Sequence, residues 1–308
     1  MTSMTQAPPM PAPTSAGAPD SARRSAVPQI SWSWLGVVPF FLFVFAFLVL
    51  PSSRLITDSF QDANGAFTLQ NFADLFRDPL IVLSFRNSIE IGVATSLIGG
   101  LFGFLVAYAI TLGKTPNWLR SGLLTFSGIA ANFGGVPLAF AFIATVGRTG
   151  FLTAVLIGLG FNIYDHGFSL YTFWGLLLAY NYFQFPLMVL TITPALEGLR
   201  SEWLEASQNL GANAFQYWRD IALPILMPSI LGTMLLLFGS AFGAYATAQA
   251  LTGGTLVLAS LLIGTEIRGD TLGNAHLGYA LAVGMVLVMA ITIGLYAILQ
   301  RRSSRWLR

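Results

Sequence analysis

Long apolar segments separated by shorter polar segments dominate the pattern of the chain. A helix that crosses a bilayer needs about 20 predominantly apolar residues, and six segments reach or approach that length. They cover residues 34–50, 87–112, 119–146, 170–192, 225–250 and 276–299. A further apolar run at 151–159 is too short to cross, so an interfacial or partly inserted helix is expected within residues 148–169. The pattern predicts an all-α integral membrane protein with about six transmembrane helices over residues 31–308.

The N-terminal 30 residues differ in composition from the rest of the chain. They are rich in Pro, Ala, Ser and Thr and contain almost no large apolar side chains. Such a segment cannot bury enough apolar surface to offset the conformational entropy that folding would cost. We therefore expect residues 1–30 to form a disordered tail before the first span.

Glycine and proline positions predict local features within the spans. Gly99, Gly103 and Ala107 lie four residues apart and form a stripe that lets another helix approach closely. The Gly-Gly-Val-Pro sequence at 134–137 predicts a kink in the third span. A short external helix is expected near residues 71–76, between the first and second spans.

The composition excludes several classes of protein. Hydrophobic residues make up 55% of the 308 residues and charged residues only 9%, whereas soluble domains carry about 25% charged residues. The mean hydropathy is +0.70. The chain has no cysteine, and its two histidines, His166 and His276, are too few for a histidine metal cluster. We therefore expect no metal and no cofactor. We also expect no nucleic-acid partner, because the basic residues are scattered and form no nucleic-acid motif.

One polar stretch between the fourth and fifth spans departs from the apolar pattern. Residues 205–224 have the sequence EASQNLGANAFQYWRDIALP. Helical periodicity in its first part is followed by Gly211, which can end a helix in the left-handed conformation. Asn213 and Gln216 have the spacing of a capping box for a second short helix, and Pro224 is expected to end that helix and to open the next span. The stretch predicts an exposed helix–Gly–helix unit whose apolar side chains fit a groove in another protein.

The same stretch resembles the signature cytoplasmic loop of binding-protein-dependent ABC importer permeases, which have the type I importer fold. That signature is Glu-Ala-Ala, three residues, Gly, nine residues, Ile, one residue and Leu-Pro. The chain matches it at Glu205, Ala206, Gly211, Ile221, Leu223 and Pro224, and it has Ser207 in place of the second Ala. The resemblance implies that residues 194–224 form a coupling loop to which a separate ATPase subunit binds. It also implies a second permease subunit, identical or different, and a periplasmic or lipid-anchored solute-binding protein.

The distribution of cationic residues predicts the orientation of the chain in the bilayer. In the six-span prediction, ten of the 15 Lys and Arg residues lie on the side that carries the coupling loop. The five on the other side are Arg54, Arg77, Arg86, Arg148 and Arg268. Because cationic residues concentrate in cytoplasmic loops, we expect the coupling loop and both termini in the cytoplasm. The chain is thus predicted to be a multi-pass protein of a bacterial inner membrane.

The sequence contains no arrangement typical of an enzyme. The phosphate-binding motif Gly-x-x-x-x-Gly-Lys-Ser/Thr is absent, and both histidines fall at predicted outer boundaries of spans. We therefore predict no catalytic residue and assign ATP hydrolysis to the partner that the resemblance implies. Two roles remain open for Glu205, namely a polar contact with that ATPase or an ion pair with Arg200 or Arg219 that braces the loop.

Polar side chains inside the predicted spans are candidates for a translocation path, because such groups usually face the protein interior or a cavity. The candidates are Asn132, Tyr182, Gln184, Tyr245, Thr247 and Gln249. For each of them, a hydrogen bond between helices is an equally good interpretation. Glu90 follows Arg86 by four residues, which favours a helical ion pair over a role in the path.

The layout of the chain also resembles the permeases of the spermidine/putrescine group, whose relatives include importers of ferric iron, thiamine and aminoethylphosphonate. The resemblance implies a polyamine as the solute, and a mild excess of acidic residues in the predicted external segments agrees with a cationic solute. Two other classes remain as alternatives. An ion-coupled secondary transporter would require an inverted repeat and intramembrane carboxylates. A structural membrane subunit would not require the matches in the coupling loop.

Overall fold

The computed structural model of the protein describes residues 36–113, 115–268 and 274–304. The helices are α1 (Val38–Ser59), α2 (Gln70–Arg77), α3 (Pro79–Thr111), α4 (Asn117–Asn132), α5 (Gly135–Val146), α6 (Phe151–Gly158), α7 (Phe173–Glu197), α8 (Ser201–Asn209), α9 (Ala214–Phe242), α10 (Ala246–Thr252), α11 (Ala259–Arg268) and α12 (Ala275–Ser304). Within these ranges the only strand-like pairing is one bridge between Gln61 and Phe67. The predicted tail at residues 1–30 lies outside the described residues.

Six helical segments in the described ranges are long and apolar enough to cross a bilayer. They are α1, α3, the segment Gly135–Gly158 that comprises α5 and α6, α7, α9 and the part of α12 up to Ile298. This confirms the predicted all-α membrane fold and the number of spans.

The chain divides after Leu50 into two compact units. In the first unit, almost every side chain from Val38 to Leu50 is exposed. The second unit contains α2 to α12 and the buried hydrophobic clusters.

The predicted third span, 119–146, is wrong in its bounds because the chain breaks within it. Helix α4 ends at Asn132, and α5 begins at Gly135, whose φ of +71° is a left-handed conformation that L side chains rarely adopt. The predicted kink at 134–137 is therefore a complete break. The apolar window that is long enough to cross lies later in the chain and includes α6, which has only eight residues of its own.

Two helices continue through a proline at which the sequence predicted an end. Helix α1 passes Pro51 and extends to Ser59, and α9 passes Pro224 without interruption. A π-turn comes just before each proline, at Phe45–Val49 and at Trp218–Ala222, and in both cases the residue before the proline bonds to the carbonyl five residues back. The proline, which has no N–H to donate, thus falls where the hydrogen-bond ladder changes register.

Other boundaries also move relative to the prediction. Helix α3 begins at Pro79 rather than at residue 87, because the side chain of Asp78 caps it by accepting a 2.8 Å hydrogen bond from the backbone N–H of Leu80. Helix α9 ends at Phe242 rather than at residue 250, and α10 follows after a second break in the chain. Helix α2 confirms the short helix predicted near residues 71–76, and α7 lies close to the predicted fourth span.

Helix α7 is the centre of the second unit, and α3, α4 and α9 pack against it. Its fully buried side chains recur every four residues at Tyr180, Gln184, Met188, Ile192 and Leu196. This spacing keeps one stripe of the helix in the interior along its whole length.

The predicted stripe of small residues on α3 is the surface that meets α7. A Cβ atom on Gly99 would lie 2.7 Å from Cβ of Gln184, and one on Gly103 would lie 2.6 Å from Cβ of Met188. Ala107 is fully buried. The two helices approach closely because the α3 surface carries no larger side chains.

Candidate coupling loop and membrane cavity

The coupling loop has the predicted helix–Gly–helix form, with α8 before Gly211 and the first turn of α9 after it. Gly211 has a φ of +82° and ends α8 in a Schellman motif. Its N–H donates to the carbonyl of Gln208 at 2.9 Å, and the N–H of Ala212 donates to the carbonyl of Ser207 at 3.0 Å. A residue with a Cβ would be strained at position 211.

The second half of the coupling loop begins with the predicted capping box. The side chain of Asn213 accepts a 2.9 Å hydrogen bond from the N–H of Gln216, whose side chain accepts one of 2.8 Å from the N–H of Asn213. The two bonds satisfy backbone donors that a helix start leaves unpaired. The loop is therefore rigid at both helix ends.

Apolar side chains at the tip of the coupling loop face outward. Leu210 is 88% exposed and Phe215 is 73% exposed, on either side of Gly211. Large apolar groups held in fixed positions on a polar surface are typical of a protein–protein contact.

The signature residues divide into an outward and an inward group. Glu205, Ala206 and Gly211 are exposed, whereas Ile221, Leu223 and Pro224 are half-buried near the start of the membrane portion of α9. Ser207 is buried and donates a 2.7 Å hydrogen bond from Oγ to the carbonyl of Leu204. A buried position suits a small side chain, as serine here and alanine in the signature both are.

Neither ion pair suggested as a brace for Glu205 is present. In the described part of the chain no salt bridge includes Glu205. Arg219 instead pairs with Asp220 at 3.7 Å, and Arg200 lies over the ring of Trp203 with Cζ at 5.8 Å from its centroid. The exposed carboxylate of Glu205 is thus available to a partner.

The coupling loop is attached to the membrane helices at two points. The ring of Trp218 meets that of Tyr108 on α3 edge to face, with centroids 5.1 Å apart. At the end of α7, Glu197 forms an ion pair with Arg120 of α4. This pair was not predicted, because 77 residues separate its members. A carboxylate and a guanidinium at the predicted inner ends of two spans could nevertheless have indicated it.

Three of the six path candidates lie together around a cavity of about 360 Å³. Asn132, Tyr245 and Thr247 line it, at the two helix breaks that separate α4 from α5 and α9 from α10. The breaks are joined by a 2.8 Å hydrogen bond from the N–H of Gly135 to Oγ1 of Thr247. The cavity and the breaks therefore form one feature.

The other three candidates do not line this cavity. Gln184 is fully buried between helices and donates a 2.9 Å hydrogen bond from Nε2 to the carbonyl of Leu237. The ring of Tyr182 packs between those of Phe133 and Phe142, with centroids 6.2 and 6.0 Å away. Gln249 is exposed on α10.

Some residues of the cavity were not among the sequence candidates. Ser240 and Ala244 line it from α9 and from the break after α9. The carbonyl of Ala244 accepts hydrogen bonds from Tyr180 Oη at 3.2 Å and Ser260 Oγ at 3.1 Å. The backbone carbonyl of Ala244 has no signal in the sequence, whereas Ser240 is a polar residue inside the predicted fifth span and could have been found.

The predicted ion pair between Arg86 and Glu90 is confirmed. Nε of Arg86 donates a 2.7 Å hydrogen bond to Oε1 of Glu90, and both side chains are largely exposed. Because α3 begins at Pro79, the two residues lie well inside the helix, one turn apart on its surface.

Comparison with known proteins identifies the family. Residues 135–305, more than half of the chain, match the family described as binding-protein-dependent transport system inner membrane component. The chain is similar to the spermidine/putrescine transport system permease protein PotB of Haemophilus influenzae, with 29% identity over 87% of this chain and 90% of that protein. It is also similar to the sulfate transport system permease protein CysT of Salmonella typhimurium, with 27% identity over 69% of this chain and 72% of that protein.

A solved structure has the same fold. A chain of a bacterial ABC transporter that imports the acidic polysaccharide alginate superposes with a TM-score of 0.70 and 17% identity, over 88% of this chain and 95% of that chain. The family match excludes the two alternatives, a secondary transporter and a structural membrane subunit. The chain belongs to the binding-protein-dependent transport system inner membrane component family, as a multi-pass permease subunit of an ABC importer and not an enzyme.

Proposed function

We propose that this permease imports a polyamine and that the coupling loop transmits the work of a separate ATPase. The observation that carries the coupling role is the pair of exposed apolar side chains, Leu210 and Phe215, held in place by Gly211 and the Asn213 capping box. Around this pair, the signature residues from Glu205 to Pro224 would form the contact surface.

The continuity of α9 supports this role for the coupling loop. The helix runs from Ala214 in the loop to Phe242 in the membrane without a break, because the π-turn at Trp218–Ala222 accommodates Pro224. A displacement of Phe215 would thus move the far end of the same helix, where the cavity begins. A rigid element with contacts at both ends is the kind of lever that couples two sites.

We assign the translocation path to the cavity at the two helix breaks. Asn132, Tyr245 and Thr247 contribute polar groups there, and Ser240 adds a hydroxyl. Gln184, Tyr182 and Gln249 remain candidates that would reach the path only in another conformation. Discontinuous helices form the solute sites of other transporters.

The choice of a polyamine rests on the relatives. The PotB relative is 29% identical to this chain and the CysT relative 27%. Sulfate is therefore the second candidate. None of the ten residues that line the cavity is charged, so a sulfate dianion would meet no cationic side chain there and a polyamine no anionic one.

The proposal requires partners that the chain does not contain. We infer a pair of ATPase subunits, a second permease subunit and a periplasmic or lipid-anchored solute-binding protein. We also infer that the coupling loop and both termini face the cytoplasm, where ATP is available to the ATPase.

Purification from native membranes tests the coupling role. The tagged chain should retain an ATPase that carries a phosphate-binding motif, and Glu205→Lys should lose it, because the change reverses an exposed charge at the centre of the contact. Gly211→Pro should abolish ATP-driven uptake, since proline cannot adopt a φ of +82°. Glu202→Lys is the matched control, because Glu202 is also exposed on α8 but lies outside the signature.

Two outcomes would contradict this proposal. The first is a chain that purifies without an ATPase, and the second is uptake at normal rates in both the Glu205→Lys and Gly211→Pro variants. Uptake of radiolabelled spermidine and sulfate by the wild-type transporter then decides between the two solutes.

A further inference from the structure

Tyr245 lies between the cavity and the external helix α11. It belongs to the non-helical segment that separates α9 from α10, and it lines the cavity. Its ring packs against Gly264 of α11 so closely that a Cβ on Gly264 would lie 2.6 Å from Cε2 of Tyr245. One turn later on α11, Cζ of Arg268 lies 5.1 Å from the centroid of the same ring. A guanidinium at that distance makes a cation–π contact.

The end of α4 beside the cavity favours positive charge. Helix α4 ends at the cavity, and the carbonyls of Ala131 and Asn132 accept no hydrogen bond within the described residues. The C-terminal end of a helix carries partial negative charge on such free carbonyls. Among the lining residues there is neither a lysine nor an arginine.

We propose that Tyr245 recognises a cationic group of the solute and that Arg268 is a resident cation, which the solute displaces from the ring. This rests on the proposed import of a polyamine and adds two specificity-determining residues to it. A cation held at the ring repels a second cation close by, whichever face of the ring each of them meets. An ammonium group in the cavity and the guanidinium of Arg268 therefore compete for Tyr245.

The position of Arg268 makes the displacement feasible. Arg268 is the last residue of α11 and is exposed, and it forms no salt bridge within the described residues. Its guanidinium can leave the ring and become hydrated at little cost. Tyr245, by contrast, is held by Gly264 and cannot follow it.

The proposal predicts opposite signs for cationic and anionic solutes. Removing Arg268 removes a competitor of a cationic solute, so the affinity for spermidine should rise. If the cavity instead accepted an anionic solute, the same change would remove an attractive charge, and the affinity for sulfate would fall. The direction of the change therefore identifies the charge of the solute that the cavity accepts.

The test is equilibrium binding of radiolabelled spermidine to the transporter purified with its ATPase in nanodiscs. Arg268→Ala should lower the Kd about threefold to tenfold. Tyr245→Leu should raise the Kd and should cancel the effect of Arg268→Ala in the double variant, whereas Tyr245→Phe should bind like the wild type. Arg148→Ala is the matched control, because Arg148 lies 5.5 Å from the ring centroid of Tyr164, away from the cavity, and should leave the Kd unchanged.

Three results would overturn the inference. They are an unchanged or higher Kd for spermidine in Arg268→Ala, spermidine binding that is undetectable in both the wild type and that variant, and sulfate binding that depends on Arg268. Failure of the proposed coupling role is a separate result, since it appears as a wild-type chain that purifies without an ATPase.

Discussion

The N–H of Gly135 donates its hydrogen bond to Oγ1 of Thr247 across 112 residues of sequence. Gly135 is the first residue of α5, and Thr247 lies in the first turn of α10 with 4% of its surface exposed. The bond therefore joins the starts of two helices that follow the two breaks in the chain. It holds together the walls of the cavity that we assign to the path.

Replacing Thr247 by valine keeps the shape of the side chain but removes this acceptor. The N–H of Gly135 would lose its partner in a partly buried position, which costs about 1 kcal/mol. We expect Thr247→Val to lower the thermal unfolding temperature of the detergent-solubilised protein. Thr247→Ser keeps the hydroxyl and serves as the control. Equal stability of the two variants would show that the bond does not hold the breaks together.

The stripe of small residues on α3 predicts that the stability of the protein depends strongly on glycine in this helix. In Gly103→Ala the new Cβ would lie 2.6 Å from Cβ of Met188 and 2.8 Å from the backbone oxygen of Phe185, so α3 and α7 would have to separate. We expect a destabilisation of about 1–3 kcal/mol, measured as a lower aggregation temperature in detergent. In the membrane helix α12, Gly294 has no atom within 4 Å of its Cβ position, so Gly294→Ala should not lower that temperature. A similar loss in both variants would contradict close packing as the cause.

The capping box is expected to keep the second half of the coupling loop well ordered. Asn213→Ala removes the acceptor for the N–H of Gln216 and should weaken the first turn of α9 by about 1 kcal/mol. Hydrogen exchange at the Gln216 amide should then become about fivefold faster, since 1 kcal/mol corresponds to that factor in an opening equilibrium. Asn209→Ala is the control, because Asn209 is exposed and its side chain forms no hydrogen bond within the described residues. Unchanged exchange in Asn213→Ala would contradict the assigned role.

The predicted orientation can be tested cleanly because the natural chain has no cysteine. Ala63 and Gln208 are both exposed, one in the predicted external loop and the other in the coupling loop. Ala63→Cys should react with a membrane-impermeant maleimide in spheroplasts with an intact inner membrane, and Gln208→Cys should react only after permeabilisation. The opposite pattern would place the coupling loop outside and would exclude contact with a cytoplasmic ATPase.

Local signals predicted the coupling loop well, because its structure depends on residues close together in sequence. Gly211 and the pair Asn213 and Gln216 have geometries that their own backbone and side chains impose. The behaviour of Pro224 was not predictable in the same way. Whether a proline ends a helix depends on the turn before it, and a π-turn has no sequence pattern of its own.

The candidate path was predicted only in part. Asn132, Tyr245 and Thr247 share a cavity, whereas Gln184 is a contact between helices, although all four are polar residues in apolar segments. A polar side chain in a span has to face protein or water. The sequence does not indicate which of the two it faces, since that depends on which helices are neighbours.

The sequence by itself determined the membrane environment, the number of spans and the helix–Gly–helix form of residues 201–217. These follow from the hydrophobicity and the local backbone preferences of consecutive residues. Only the tertiary structure decided that the two helix breaks meet, that Gly135 bonds to Thr247, and that Arg268 lies over Tyr245. The physical reason is that these contacts join helices far apart in the chain, whose arrangement is set by the packing of α3, α4 and α9 around α7.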